Sequence, residues 1–564
     1  MAICASEGGI EQRYRYLLSG VIVFGFAFAV LAVGMNRDIL LHDEGLIVTG
    51  ASRILAGAIP HRDFYTIYGP GQFCILALAF KFFGPSVLVE RIWDLAIKAG
   101  IACLAGSIAL RMMRRAFVAM VTVVCILWLT YLGTFGFPVW PALLLSLLSV
   151  EILLPVFEGR HSTGSILAAG SCVGMIALFR YDVGFVVCMA ESTILLAFGV
   201  FSKARGQTRA SRVGNLLVPF WLGIAIIFVP LMAGYAVTGT IPDFMFQVIE
   251  FPSKQYARVR SLPFPGLPLG VGKPDLVDYI VYLPPLVSFA AIATSLTCDG
   301  NTRELGTTTQ RDAWRWKLAV LATLTGVLYL KGLVRVSPIH MALSIVPAII
   351  TIGAVTERAF KERTLWVRRM LITTLVATFS FAAIPSDIAA TRVARQIMSN
   401  LHAIINREIF VQREPEILSG SCWPSVDLER VPCLKLPPSM VQAIRFVRSR
   451  TAPSEPIFVG VGRHDKIFIG NVAFYFIADR PPATKWYNLE PGLQTSRPIQ
   501  DQMIVDLKKS VPRYVVIDTE WDSTKEPNES AVSSGVTALD EFIADTYFVV
   551  AQFPPYRVLE RRND

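Results

Sequence analysis

Between residues 36 and 71 the chain reads NRDILLHDEGLIVTGASRILAGAIPHRDFYTIYGPG, a stretch dense in ionisable and aromatic side chains beside a long apolar segment. Asp43 and Glu44 precede an amphipathic run carrying Leu46, Ile47, Ile54 and Leu55, and this run predicts a helix that ends near Pro60. Acidic residues at a helix start can simply cap it and complement its dipole. Their company argues for more. His42, His61, Arg62, Asp63, Tyr65 and Tyr68 share the loop, so acid, base and cation types sit together in one short segment. With the histidines nearby, Asp43 and Glu44 could also hold a divalent metal ion, although the spacing is not specific for one.

Charges inside or at the rim of apolar segments are the next candidates, because they are costly in hydrocarbon. Glu90, Arg91, Asp94 and Lys98 open the second long apolar segment. The three- and four-residue spacings predict that Arg91, Asp94 and Lys98 neutralise one another on one helix face, with Glu90 nearer the loop. Arg180, Tyr181 and Asp182 form a second group, in which Asp182 can partner Arg180 locally. Lys331, Arg335 and His340 form a third, in which the two cations have no acidic neighbour in sequence. Lys254, Arg258 and Arg260, interleaved with Gln255 and Tyr256, form a fourth. Such cations call for an anion, either a lipid headgroup or the phosphate of a lipid-linked substrate, and Arg180 and Arg335 are expected to meet it near the loop that carries Asp43.

What must position these groups is a membrane scaffold. Of 564 residues, 53% are hydrophobic and 17% charged, with positive mean hydropathy, more than a soluble domain carries. The fold class is therefore a polytopic α-helical membrane protein. Its net charge of +10 comes from basic residues between apolar runs, which suits topological anchoring; no nucleic-acid-binding motif is present. Eleven segments are long enough to span: 17–34, 88–110, 116–132, 139–157, 165–179, 183–201, 213–235, 276–296, 318–333, 339–355 and 370–384. The first reads as an uncleaved span rather than a signal peptide. Arg13 and Arg15, Arg111, Arg114 and Arg115, and the basic clusters at 203–212, 311–317 and 358–369 then fall on one side, the cytoplasmic one, with the N-terminus. The parity requires the short apolar piece 72–83 to be re-entrant or interfacial.

This topology makes residues 1–386 a transmembrane module whose first loop, 36–71, faces outside with the segment 236–275. Residues 387–564 form an extracytoplasmic region. Within it short β-rich runs at 456–462, 514–519, 547–553 and 557–560 alternate with helical stretches, predicting a small α/β domain over about 439–564. Ser439 is the expected N-cap of a helix carrying Val441, Ile444 and Val447. Gly460-Val461-Gly462 follows a strand but lacks the third glycine of a dinucleotide site. Cys422 and Cys433 bracket an external loop and are expected to pair as a disulfide, while the other cysteines of the nine lie mostly in apolar segments. Asn528-Glu529-Ser530 is a glycosylation sequon.

The motifs HDEG, PHRDFYTIYGPG, FRYDVG and RVSPIH resemble the membrane-embedded GT-C glycosyltransferases, the superfamily of aminoarabinose transferases and protein mannosyltransferases; the similarity covers roughly residues 15–385. The resemblance implies that the first-loop acid, here Asp43 with Glu44, is the catalytic base or a metal ligand. It implies a donor sugar on a polyprenyl phosphate, transferred outside the cytoplasm to a lipid, a cell-envelope glycan or a protein. The substrate-binding set it suggests is His61, Arg62, Asp63, Tyr68, Glu90, Arg180, Asp182, Lys254, Arg258, Arg260, Lys331, Arg335 and His340. At Tyr68-Gly69-Pro70-Gly71 the sequence departs from the aminoarabinose-transferase pattern, which has a lysine before paired prolines. A multi-pass protein of the inner (plasma) membrane is expected, with the C-terminal domain periplasmic. The rival readings are a flippase of a lipid-linked substrate, against which no internal repeat is found, and a non-catalytic envelope-assembly protein.

Overall fold

The structure is a computed structural model that describes residues 10–160, 162–202, 208–264, 280–297, 308–361, 394–402, 428–432 and 434–562. Helix α1 (Ile10–Val33) leads into a loop that carries α2 (Asp43–Leu55) and α3 (Pro70–Phe83). Six helices follow: α4 (Val87–Leu110), α5 (Arg115–Tyr131), α6 (Val139–Phe157), α7 (Thr163–Phe179), α8 (Tyr181–Phe201) and α9 (Arg209–Val237). A bent helical segment comes next, built from α10 (Ile241–Met245), two π-helical turns (Phe246–Glu250 and Pro252–Tyr256) and α11 (Ala257–Arg260). Helices α12 (Leu283–Thr297), α13 (Thr308–Gly332) and α14 (Pro338–Lys361) come next among the described residues.

Ten of the eleven expected spans thus fall on helices, and the eleventh, 370–384, lies outside the described residues. Among the described residues five helices are long and apolar enough to cross a membrane: Val87–Leu110, Val139–Phe157, Tyr181–Phe201, Arg209–Val237 and Pro338–Arg358. Helix α3 has 14 residues and exposes Leu78, Phe82 and Phe83. At 1.5 Å per residue it is too short to cross a hydrocarbon core of about 30 Å.

Without a hydrophobic drive between helices in lipid, close packing must hold the bundle, and small residues allow it. A side chain at Gly170 would collide with the Phe220 carbonyl, and one at Gly223 with that of Leu167, so α7 and α9 touch backbone to backbone there. Several buried charges are paired. Asp94 Oδ2 lies 2.8 Å from Lys98 Nζ, as the spacing predicts. Arg91 departs from that prediction and reaches α2 instead, where a carboxylate offers both of its oxygens.

The C-terminal sheet has the order β1-β2-β4-β3, from β1 (Phe458–Val461), β2 (Tyr514–Asp518), β3 (Tyr547–Phe553) and β4 (Tyr556–Arg561). Strands β1 and β2 are parallel, with Phe458 opposite Val515, and every residue of both is buried. The connection between them carries the helices Ala473–Ala478 and Arg497–Ser510, as a parallel pair requires a crossover. Strands β3 and β4 form an antiparallel hairpin. The helix Pro438–Arg448 buries Val441, Ile444 and Val447 as expected, but its N-cap is Pro437 rather than Ser439. Proline is favoured at the first helical position because no hydrogen bond is asked of its nitrogen there, and Pro438 takes that place.

The first loop does not stand apart from this domain. Leu46, Ile47, Phe73 and Phe80 share one apolar core with Val472, Phe474, Phe476 and Val516. Ala473 N–H donates to Leu41 O at 2.8 Å, Lys435 N–H to Arg37 O at 2.9 Å and Tyr65 N–H to Lys485 O at 3.0 Å. The C-terminal domain and the loop carrying Asp43 are therefore on the same face of the bundle.

Candidate active site

The two acidic residues at the start of α2 are used differently. Glu44 is fully buried; its Oε1 accepts from Arg91 Nε at 2.7 Å, and its Oε2 accepts from Arg91 Nη2 at 3.0 Å and from Leu40 N–H at 3.1 Å. Arg91 also donates to the carbonyls of Asn36 and Asp38 at 2.5 and 2.8 Å, so one guanidinium fastens the whole entry to α2 onto α4. Asp43 is exposed, and among the described residues no hydrogen bond or ion pair engages its carboxylate. Removing one partner of a buried pair strands the other charge. Arg91→Ala is expected to cost about 3 to 5 kcal/mol and to lower the thermal midpoint of the detergent-solubilised protein. Arg91→Met with Glu44→Leu should recover part of the loss.

His61, expected to bind substrate, is sealed instead. It has φ +69°, no exposed surface, and sits among Tyr181, Tyr235 and Phe244. Its Nδ1 lies 3.1 Å from Gln247 Oε1 and its Nε2 3.3 Å from Tyr181 Oη, so neither nitrogen is open to a substrate. Gln247 Nε2 donates in turn to His61 O at 2.8 Å, tying the loop to the bent segment after α9. Burial, offset only in part by Gln247, lowers the imidazole pKa to about 4. The folded pKa lies below the unfolded value of about 6.5, so the stability held in the neutral ring is complete above pH 6.5 and is lost as pH falls towards 4. The span corresponds to on the order of 3 kcal/mol. A His61→Asn variant, whose side chain tolerates positive φ and does not titrate, should show a flatter fall of thermal midpoint over that window than the wild type.

Arg62 and Asp63 pair with each other, Arg62 Nε to Asp63 Oδ1 at 2.8 Å, and Asp63 Oδ2 accepts from Ile59 N–H at 2.7 Å. They close a surface turn. Glu90 is fully buried and takes the Gly136 N–H. The Arg62–Asp63 pair stays partly exposed, and the second carboxylate oxygen of Glu90 is buried without a hydrogen-bond partner.

The remaining candidates converge. Arg180 donates to both oxygens of Asp182, at 2.9 and 2.6 Å, and its guanidinium lies 5.2 Å from the centre of the Tyr68 ring. Lys331 Nζ approaches the same carboxylate at 3.4 Å. Tyr68 lies within the fields of Arg180, Asp43, Tyr256 and Glu490, and Tyr256 within those of Glu490, Arg260, Arg180 and Arg335. His340, held by Ser337 at 2.7 Å, faces Arg335, Lys331, Arg180 and Arg260. Loop one, the ends of α7, α8, α13 and α14, and α11 thus bring Asp43, Tyr68, Arg180, Asp182, Arg260, Lys331, Arg335 and His340 to one place.

Arg335, which has no acidic neighbour in sequence, finds a carboxylate in space. Glu526 of the C-terminal domain takes Arg335 Nη1 and Nη2 at 2.8 and 2.5 Å. Glu490, from the same domain, takes Arg260 Nε and Nη2 on a single oxygen at 3.0 and 2.5 Å. Burial pushes the Glu490 carboxyl up, but Arg260 and His42 outweigh it and hold the group below the usual range. At the periphery Lys254 pairs with Glu250 at 2.7 Å and Arg258 with Glu529 at 3.0 Å, all four side chains exposed. Nothing near any of these cations in sequence announces Glu490 or Glu526, which come some 190 residues or more after their partners. The Asn528 amide of the sequon is also in use, donating to Ser261 O at 2.9 Å.

Among the four cations facing His340, three carboxylates are shared out: Glu526 to Arg335, Glu490 to Arg260, and Asp182 to both Arg180 and Lys331. The positive surplus therefore sits at Arg180 and Lys331. For a divalent ion the fit is poor: Glu44 has both oxygens committed to Arg91 and Leu40, and among the described residues no three His, Cys, Asp or Glu side chains gather for a metal. The expected Cys422–Cys433 disulfide lies outside the described residues.

No family model matches the chain, and no curated protein matches it. Solved structures do. The apo structure of ArnT from Cupriavidus metallidurans aligns over 97% of this chain and 97% of its own, at 14% identity and a TM-score of 0.51. The Archaeoglobus fulgidus oligosaccharyltransferase, in complex with Zn and sulfate, aligns over 96% of this chain and 73% of its own, at 11% identity and a TM-score of 0.51. Both are GT-C glycosyltransferases, and the fold of this chain is similar to theirs.

Proposed function

We propose that this chain, which has the GT-C glycosyltransferase fold, moves a sugar from a polyprenyl-phosphate donor to a cell-envelope acceptor, whether lipid, glycan or protein, on the extracytoplasmic face of the inner (plasma) membrane. The observation that carries the reading is the exposed carboxylate of Asp43, which no hydrogen bond or ion pair engages among the described residues and which acts on Tyr68 together with Arg180, a cation that shares its single counter-ion with Lys331. The acceptor oxygen attacks the anomeric carbon while Asp43 takes its proton. The bond from that carbon to the phosphate oxygen breaks, its electron pair leaves on the phosphate, and Arg180 and Lys331 stabilise the charge that grows there. Glu44 orients α2 through Arg91 and stays out of the chemistry.

With the eleven spans read from the sequence, the N-terminus lies in the cytoplasm and loop one with the C-terminal domain outside. The ion pairs Arg111–Glu151, Arg114–Glu357 and Lys317–Glu158 then lie at the cytoplasmic ends of the helices, where basic residues are favoured. Although one structural neighbour was solved with Zn, the commitment of Glu44 to Arg91 argues for a base that works without a metal here. The test is to incubate purified protein with polyprenyl-phosphate sugars and candidate acceptors and to measure release of the lipid phosphate. Release that depends on an acceptor is expected. Movement of an intact donor across vesicles without release would point to a flippase instead.

A further inference from the structure

The turn Tyr68-Gly69-Pro70-Gly71 has no part in the chemistry proposed above, yet its backbone is held from two sides. Gly69 N–H donates to Phe179 O at 3.1 Å, and a side chain at Gly69 or Gly71 would collide with the Leu178 carbonyl, so the turn lies backbone to backbone on the last residues of α7. Tyr68 N–H donates to Thr66 Oγ1 at 3.1 Å and Thr66 N–H to Gln247 Oε1 at 3.2 Å, which ties the same stretch to the bent segment after α9. Arg180 follows α7 directly and leads into α8. What the turn brings to it is the buried ring of Tyr68, with the Phe137 ring packed edge-on at 5.9 Å and the Arg180 guanidinium 5.2 Å from its centre.

A cation can be held by an anion or by an aromatic face, and only the second keeps its charge. Arg180 gives Nε and Nη2 to the two oxygens of Asp182, a carboxylate that Lys331 also approaches. A further carboxylate would grip the guanidinium more firmly but cancel the positive surplus of the site. A tyrosine ring attracts a cation through its quadrupole and carries no net charge, so it fixes the guanidinium without neutralising it. With Nε and Nη2 on Asp182, Nη1 makes no hydrogen bond among the described residues. That nitrogen is what Arg180 has to offer an anion.

We infer that Tyr68 is a positioning residue for the leaving group: its ring, seated by the two glycines of the turn, holds Arg180 so that Nη1 remains for the departing phosphate while Asp182 keeps Nε and Nη2. The inference rests on the glycosyltransferase reading and adds to it the group that orients the charge-stabilising arginine. Tyr68 then acts through Arg180, and its hydroxyl needs no contact with the donor.

The experiment measures acceptor-dependent release of lipid phosphate, the donor KM and thermal midpoints for Tyr68→Phe, Tyr68→Leu, Arg180→Met and the double variant Tyr68→Leu with Arg180→Met. Phenylalanine keeps the ring face, so Tyr68→Phe should retain turnover to within about threefold. Tyr68→Leu should lower kcat roughly tenfold, the size of a desolvated cation–π contact, and move KM less, because the charge on the phosphate grows only as the bond breaks. In the Arg180→Met background the same leucine should cost nothing further, since no cation is left to orient. Fluorinated phenylalanines at 68 keep the shape and weaken the quadrupole, so turnover should fall stepwise with fluorine number at a constant thermal midpoint, even where leucine impairs folding. Equal losses in Tyr68→Phe and Tyr68→Leu would put the hydroxyl on the substrate and overturn the inference. Additive losses in the double variant, or turnover that ignores the fluorines, would leave the ring as packing and overturn it too. If the wild type releases lipid phosphate from no donor at all, the glycosyltransferase reading itself fails, and this one with it.

Discussion

Asp43→Asn is expected to cut acceptor-dependent release of lipid phosphate by 10² to 10⁴-fold, on the order of what a positioned general base supplies, while the thermal midpoint stays at the wild-type value. The expectation of unchanged stability is specific to this residue. Its carboxylate is exposed and bonded to nothing among the described residues, so the amide strands no partner. Asp43 is the first residue inside α2 rather than its cap, and α2 keeps Glu44 in its first turn. KM for the donor should hardly move, because the lost interaction is made with the proton in flight. Glu44→Gln should behave in the opposite way. It weakens a salt bridge whose two side chains are at most 1% exposed, so the midpoint falls and activity follows only as far as the α2 entry shifts. Equal loss of kcat at both positions, with stability intact in both, would mean that the two carboxylates act together on a metal, and the role given to Arg91 would be wrong. Wild-type turnover in Asp43→Asn would remove the base from the mechanism altogether.

The scaffold was legible because lipid imposes a simple rule: backbone groups must be satisfied within a segment, so long apolar runs become helices. The runs at 88–110, 139–157 and 183–201 accordingly fall within a residue or two of α4, α6 and α8. The four β-rich runs of the C-terminal domain became its four strands for a similar reason, since alternation and β-branched content are local signals. Capping was read less well. Ser439 has the right chemistry, but Pro438 one position earlier sets the helix start.

Within the site, residue types were legible and pairings were not. The chain shows that Arg335 needs an anion; it cannot show that Glu526 supplies it across 191 positions. A still longer separation hid Glu490, which reaches Arg260 and His42 only because the C-terminal domain packs its core onto α2 and α3. His61 misleads for the opposite reason. Its neighbours in sequence are polar, but its neighbours in space are Tyr181, Tyr235 and Phe244, and burial removes the proton that would have made it a cation. These pairings also move the proposed phosphate site. An arginine with its own carboxylate has less to offer an anion than a pair of cations sharing one, so the weight passes from Arg335 to Arg180 and Lys331.

Lys331→Met should therefore be the most damaging single change among the cations, lowering kcat by about 10² to 10³-fold, the usual loss when one preorganised charge-stabilising group is removed. In the wild type Asp182 balances only one of its two partners, bonded by Arg180 at 2.9 and 2.6 Å and approached by Lys331 at 3.4 Å. Without the lysine, Arg180 and Asp182 form a neutral pair, and nothing is left over for a leaving phosphate. Arg180→Lys keeps the charge but loses the fork that grips the carboxylate and could grip a phosphate, so a smaller loss is expected there. Asp182→Asn tests the same arithmetic from the other side. It frees both cations, and the donor should bind more tightly, by about 1.5 to 3 kcal/mol for each charge-assisted hydrogen bond gained, even if product release slows. Arg335→Ala, by contrast, leaves Glu526 unpaired and should show mainly as a lower thermal midpoint. If Lys331→Met consumes the lipid-linked donor at the wild-type rate and Arg335→Ala does not, the surplus charge is not where the phosphate goes. The site must then be sought along α11, where Arg260 shares its carboxylate with His42.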